Sequence, residues 1–357
     1  VHKKHGAILM AYISFQPSDF FNTVLYNGDG TSDHNVTGVG FQPDWVWIKR
    51  RDSAGDNQTH DSSRGSNLQL VTNNTNAESA NANFGGIISD GFNLSGDGGS
   101  YNNASGTYAS WNWKANGGTT SSNTDGSITS TVQANTTAGF SIVTYTGNAT
   151  TGATVGHGLG VAPKIVLIKK RNSTSNWVMQ NTNLNVASGD CLFLDTTDAN
   201  TTISSYWNAV PTSTVFTLGN NSTPNGSGDT YVAYCFAEIK GYSNFGSYTG
   251  NGSSDGPFIY TGFRPAWILF KSSSVAGQDW VLMDAKRTAE YNPTDGTLYP
   301  NNNVAEVTTI DRGDILSNGY KLRNTSPAVN QSGASYVFMA FAEFPLIGSN
   351  GQVGTAR

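Results

Sequence analysis

At three places, each just after a proline, the chain sets four apolar residues in a row, where an ordinary half-buried strand would alternate apolar and polar positions. The stretches are FQPDWVWIKR from Phe41, VAPKIVLIKKR from Val161 and FRPAWILFKSS from Phe263. In each, a proline (Pro43, Pro163 or Pro265) stands two residues ahead of the apolar run, and a lysine follows it. Successive side chains of an extended chain point to opposite faces. Trp45, Trp47 and Lys49 therefore share one face of a strand, and Val46 and Ile48 share the other. Ile165 and Leu167 oppose Val166 and Ile168 in the second stretch, while Trp267 and Leu269 oppose Ile268 and Phe270 in the third. A strand apolar on both faces is a strand covered on both sides. The proline falls at its first residues, where a missing N–H does least harm. These are read as core strands.

The same order of elements surrounds each stretch. An opening strand ends in a tyrosine and a polar turn: VLYNGDGTSD at Tyr26, VTYTGNATTG at Tyr145 and GSYTGNGSSD at Tyr248. A closing apolar strand follows: TYASWNWKA from Thr107, TYVAYCFAE from Thr230 and SYVFMAFAE from Ser335. From the motif proline to the closing tyrosine (Tyr108, Tyr231, Tyr336) the spacing is 65, 68 and 71 residues. Order and spacing together mark an internal repeat. The units are taken as 22–117, 138–242 and 243–346, with an N-terminal arm at 1–21, a Gly/Ser/Thr linker at 118–137 and a C-terminal tail at 347–357.

Short strands broken by NG, DG and GG turns, in units of about 105 residues, predict an all-β protein of three tandem β-sandwich, jelly-roll-like domains. Helical periodicity with capping is scarce, and VAEVTTIDRGDILSNG from Val304 is the best candidate for a helix. Only 13% of residues are charged, yet 17 Phe, 15 Tyr and 8 Trp supply aromatic mass for real cores. The net charge of −5 argues against a nucleic-acid partner. No apolar run approaches the roughly 20 residues of a bilayer span, so no membrane insertion is expected. The opening VHKKHGAILMAYISF has the basic start of a signal peptide, but its apolar run is short and lacks a clear cleavage site; Met10 is an alternative start. The arm is expected to dock either on a neighbouring subunit or on its own chain. Cys191 and Cys235 do not make a disulfide framework, and Cys235 reads as a buried free thiol.

Candidate chemistry is sparse. His2, His5, His34, His60 and His157 recur at no shared place in all three units, and no HExxH, CxxC or Walker-type loop occurs; no metal or cofactor is expected. The turn NGDGTSD, Asn27 to Asp33, evokes a calcium loop, but Gly38 stands where the bidentate glutamate belongs, so a hydrogen-bonded turn is preferred. Asp61 and Arg64 in DSSRG, and Asp284 and Arg287 in DAKR, are read as structural ion pairs; the second copy has neutral QNTNL there. Glu78 and Glu306, and Glu238 and Glu343, recur in pairs of units, but nothing in their order along the chain joins two of them into the paired acids of a glycosidase. No catalytic residue is assigned. Trp177 and Trp280 look like equivalent core positions, which leaves Trp207, Tyr291 and Tyr299 as candidate exposed rings for stacking on sugars.

The segments TVLYNGDGTSDHNVTGVGFQPDWVWIKRRD and GFSIVTYTGNATTGATVGHGLGVAPKIVLIKKR, with the ending FAEFPLIGSNGQVGTAR, resemble a repeat domain of unknown function found in tail and virion proteins of tailed bacteriophages of marine bacteria. The resemblance covers roughly residues 20 to 357 and brings no catalytic motif. It implies a virion structural protein at the virion surface: a tail-fibre or spike subunit that touches host polysaccharide by many weak contacts. A homo-oligomer, a trimer by analogy with fibres, is expected, attached to other virion proteins through the arm. A capsid decoration or head-fibre protein is the alternative, and a polysaccharide depolymerase a third.

Overall fold

The computed structural model describes residues 15–65, 67–287 and 292–344. Nearly all regular structure in them is antiparallel strand, as the turn-rich sequence predicts. In every unit the large sheet is built on one order: opening strand, closing strand, motif strand, then a fourth strand. The opening strands are Phe21–Asn27, Phe140–Thr146 and Ser243–Thr249. The closing strands are Thr107–Trp113, Thr230–Phe236 and Ser335–Phe344, and the motif strands Trp45–Arg50, Ile165–Lys170 and Arg264–Ser272. The fourth strands are Gln58–Asp61, Val178–Asn181 and Val281–Asp284. A small three-stranded sheet belongs to each unit and begins with His34–Thr37, Ala153–Gly156 or Phe258–Tyr260.

The repeated tyrosines have a common cause. Register sets Tyr26 opposite Tyr108, Tyr145 opposite Tyr231 and Tyr248 opposite Tyr336. Each pair stacks, with centroids 5.0, 5.0 and 4.9 Å apart. The closing-strand hydroxyls donate to carbonyls of the segment before that strand: Tyr108 to Gly99, Tyr231 to Ser222 and Tyr336 to Pro327. The pairs therefore fix register and loop at once.

The two apolar faces of the motif strands meet different partners. Val46 and Ile48 face the small sheet of their own unit, as do Val166 and Ile168, and Ile268 and Phe270. Trp45, Trp47, Ile165, Leu167, Trp267 and Leu269 instead enter one core shared by all three units. Rings from different units touch there: Trp45 stacks on Tyr234 at 4.4 Å, Phe21 on Phe341 at 5.2 Å, and Trp113 meets Trp267 edge-on at 5.8 Å. Each buried ring of this size contributes on the order of 2–3 kcal/mol. The indole N–H groups of Trp47, Trp113 and Trp267 find no acceptor, so packing here outweighs hydrogen bonding.

Contacts between units close into a cycle. The motif lysines Lys49, Lys169 and Lys271 are fully buried, and each ammonium donates both to its own unit and to a loop of the preceding one. Lys49 reaches Gly55 O and, more distantly, Asn302 O in unit 3; Lys169 reaches Ser175 O and Thr75 O in unit 1; Lys271 reaches Gln278 O and Thr197 O in unit 2. Backbone bonds follow the same circuit, Gly55 N to Asn303 O, Ser175 N to Thr75 O and Gly277 N to Thr197 O. Trp177 Nε1 donates to Val71 O and Trp280 Nε1 to Phe193 O, again unit to unit.

Three segments differ from expectation. The supposed linker holds strands Ser121–Asn123 and Ser130–Asn135, which extend the unit 2 sheet beyond its opening strand. Its Gln133 is buried and hydrogen-bonds Ser62 and Ser63 of unit 1, so the segment is a seam. The helix candidate is instead loop followed by strand Gly313–Leu316, whose Asp314 and Leu316 alternate with Gly313 and Ile315 across the pleat. Of the arm, Phe15 and Phe20 pack on Tyr242 of the same chain at 5.4 and 6.5 Å. Residues 1–14 and the tail lie outside the described residues.

Candidate functional site

At the seam of units 1 and 2, the tight turn after Gln58–Asp61 brings Arg64 back onto Asp61. Asp61 accepts from Arg64 Nε, from the backbone N–H of Ser63 and Arg64, and from the hydroxyl of Tyr234 in unit 2 at 2.6 Å. Arg64 Nη1 lies 2.7 Å from Glu78, which pairs with Arg171 of unit 2 at 2.8 Å. Burial by itself would weaken the Arg64 guanidinium, but the Asp61 and Glu78 charges outweigh it and hold its pKa above the ordinary value. The seam of units 3 and 1 repeats the arrangement: Asp284 with Arg287 at 2.6 Å, Arg287 with Glu306 at 2.5 Å, Glu306 with Arg51 at 2.7 Å, and Trp111 Nε1 donating to Asp284 at 3.0 Å. At the third seam the matching positions are Asn181, Leu184, Asn200, Ser273 and Met339: acid, base and donor are lost together. The Asp61–Arg64 and Asp284–Arg287 side chains are wholly enclosed, so their chemistry is to lock units rather than to act on a substrate.

The aromatic candidates fare differently. Trp207 is 1% exposed within the unit 2 sandwich core, because it sits on a short strand of the small sheet with its ring turned inward. It offers no face to a sugar, which corrects the expectation of exposure. Tyr299 is half-buried beside the unit 3 core, and Arg312 Nη2 donates to its hydroxyl at 3.2 Å. Tyr291 lies outside the described residues. His60 is buried, stacks on Phe84 at 3.8 Å and meets Tyr101 OH at 2.8 Å. His157 is buried against Thr212 O, and burial lowers its pKa. In the calcium-like turn, Asp29 Oδ1 accepts from Thr31 and Asn102, as a turn residue does. No group of metal-ligating side chains occurs among the described residues.

A cleft of about 190 Å³ opens between units 1 and 3, lined by Gln16, Ser18, Asn22, Thr23, Lys286 and Glu343 among others. Burial raises the Glu343 pKa against the pull of Arg264, whose Nε lies 3.1 Å away. Hydrolysis by paired acids asks for two carboxyls roughly 5–9.5 Å apart. Among the described lining residues Glu343 is the single carboxylate.

The chain belongs to the DUF7483 family. The family model, described as a domain of unknown function, matches residues 16–345. Comparison with curated proteins and with solved structures yields no match. The DUF7483 match runs through all three units without a break, which agrees with their common core. Three features of this domain escaped the reading of the sequence: the Glu78–Arg171 and Glu306–Arg51 bridges, the tie to Tyr234, and the burial of the motif lysines. A signal for the last was present. Lys49, Lys169 and Lys271 recur on the face that carries the inward tryptophans and leucines.

Proposed function

We propose that the chain is a structural component of a bacteriophage virion, a tail-fibre or spike subunit exposed at the virion surface that binds host polysaccharide by multivalent contacts. The observation that carries this reading is the cycle of three sandwiches around one core, its units tied by buried lysines and, at two seams, by enclosed ion pairs. Such a body resists deformation and presents the outer faces of three related sheets in different directions, which suits display. The resemblance of the repeat to tail and virion proteins supplies the setting. Trimerisation, by analogy with fibres, belongs to the proposal as well, although the chain already brings three similar units around one centre. Weak contacts on several copies would sum through effective concentration.

The test is location. Antibody-labelled electron microscopy of purified virions is expected to decorate the tail or its fibres. Label spread over the head would favour a decoration protein instead, and virions without label would overturn the reading. Native mass measurement of the purified protein decides between one copy and three.

A further inference from the structure

The three units differ on the outer face of the small sheet, at two structurally equivalent positions of its first strand. In unit 1 these are Asn35 and Thr37, and the face is polar: Asn93 Nδ2 donates to Asp33 and Asn35. In unit 2 they are Thr154 and Gly156, and the chain covers its own sheet edge. There Ile128 N donates to Thr154 O at 2.9 Å, and Ser127 and Thr154 exchange hydrogen bonds. A Cβ on Gly156 would collide with the side chain of Asn123. In unit 3 they are Phe258 and Tyr260, 44% and 64% exposed. A covering strand of the unit 2 kind would run into the Tyr260 side chain, so this edge is closed to the cover its sister accepts. What stands there instead is a pair of free rings.

The surroundings suit a particular ligand. Phe258 and Tyr260 lie two residues apart on one strand, so their rings share a face with about 6.7 Å between their anchoring positions. Gly319, opposite Tyr260, makes room: a Cβ there would lie 2.8 Å from the Phe258 ring. Lys321, opposite Phe258, pairs with Asp255 at 2.8 Å, and Arg323 bridges Asp255 at 3.5 Å and Asp314 at 2.7 Å. Asp255 is largely exposed, and its hydrogen bond to Lys321 lowers its pKa and keeps it ionised. Flat apolar rings edged by charged donors and acceptors match a pyranose chain, whose C–H faces stack while its hydroxyls bond at the rim. Both signs of charge are present, which favours an uncharged chain.

We propose that the Phe258–Tyr260 face of unit 3 is a saccharide platform for an extended neutral hexose chain. The identity of that chain as host surface polysaccharide rests on the function proposed above; the binding itself does not. The probes are linear hexasaccharides of β-1,4-, β-1,3- and α-1,4-linked glucose, titrated into the full chain by calorimetry and by saturation-transfer NMR. At least one is expected to bind, with protons of the sugar ring faces saturated most strongly. Tyr260→Ala and Phe258→Ala should each weaken it about tenfold, the scale of one ring contact. Val304→Ala, at another exposed apolar side chain, should leave it unchanged. Both rings are exposed, so the variants should melt with the wild type. No binding by any probe, or binding kept in the Phe258→Ala/Tyr260→Ala double variant, overturns the platform. So does self-association of the wild type that Tyr260→Ala abolishes, which would make this face a contact between copies. If the platform holds but virions carry no label, the virion assignment fails alone; if virions are labelled and the platform fails, the site fails alone.

Discussion

Asp61→Asn is a small substitution with a large expected consequence. Asn keeps the shape of the side chain but removes one of the two carboxylate charges that face Arg64, leaving Glu78, and puts an amide where Tyr234 OH or the Arg64 N–H groups now donate. Neither Asp61 nor Arg64 has any exposed side-chain surface, so water cannot take over. Removing one partner of such a buried pair costs about 3–5 kcal/mol. Against a typical total of about 5–15 kcal/mol, that is a large fraction. The third seam supplies the control, since Asn181, Leu184, Asn200, Ser273 and Met339, all neutral, fill the matching positions there. Copying all of it into the first seam (Asp61→Asn, Arg64→Leu, Glu78→Asn, Arg171→Ser, Tyr234→Met) should recover most of the loss, because a neutral packed set replaces the whole network. Urea titration followed by tryptophan fluorescence measures both as midpoint shifts at unchanged slope. An Asp61→Asn loss below about 1 kcal/mol, or a fivefold variant less stable than the single one, would refute the reasoning.

Burial lowers the pKa of Lys49, Lys169 and Lys271 to about 8, below the ordinary lysine value, so above that pH the unfolded chain binds more protons than the folded one. Stability should therefore rise from about pH 8 towards 10, then fall as unfolded tyrosines ionise while the buried Tyr26, Tyr145, Tyr234 and Tyr248, their pKa values raised by burial, stay neutral. Urea midpoints across this range check it, and a steady decline from neutral pH would contradict it. Trp177→Phe should cost about 1–3 kcal/mol by the same titration, since it strips Val71 O of its donor across the first seam and leaves space behind. Cys191 and Cys235, both buried with thiols pushed up to about 12, should be silent to a thiol reagent at pH 8 in the native protein and should both react in denaturant.

The all-strand character and the two-sided motif strands were legible in the pattern, since alternation of Trp45 and Trp47 with Val46 and Ile48 states directly which residues share a face. What covers the second face was not legible: alternation names a side without naming its occupant, and here the occupants are the other two units. The i,i+3 spacing suggested that Asp61 and Arg64 belong together, whereas Tyr234 lies 173 residues from Asp61 and only the fold brings it close. Residues 118–137 read as a linker because most of their side chains are polar; Ile128 and Val132 do enter the unit 2 core, but so few apolar positions show no strand alternation. Trp207 was misjudged because a short strand in an irregular stretch carries too few residues to reveal its inward face. Phe258 and Tyr260 were hidden in an apparently ordinary strand, where exposure depends on what the neighbouring edge lacks.

The central claim is that three sandwiches share one core and therefore stand or fall together. Differential scanning calorimetry of the intact chain tests it most directly. A single transition, with calorimetric and van't Hoff enthalpies equal, is expected. Two or three resolved transitions would contradict it, because separable units could not owe their inner faces to one another.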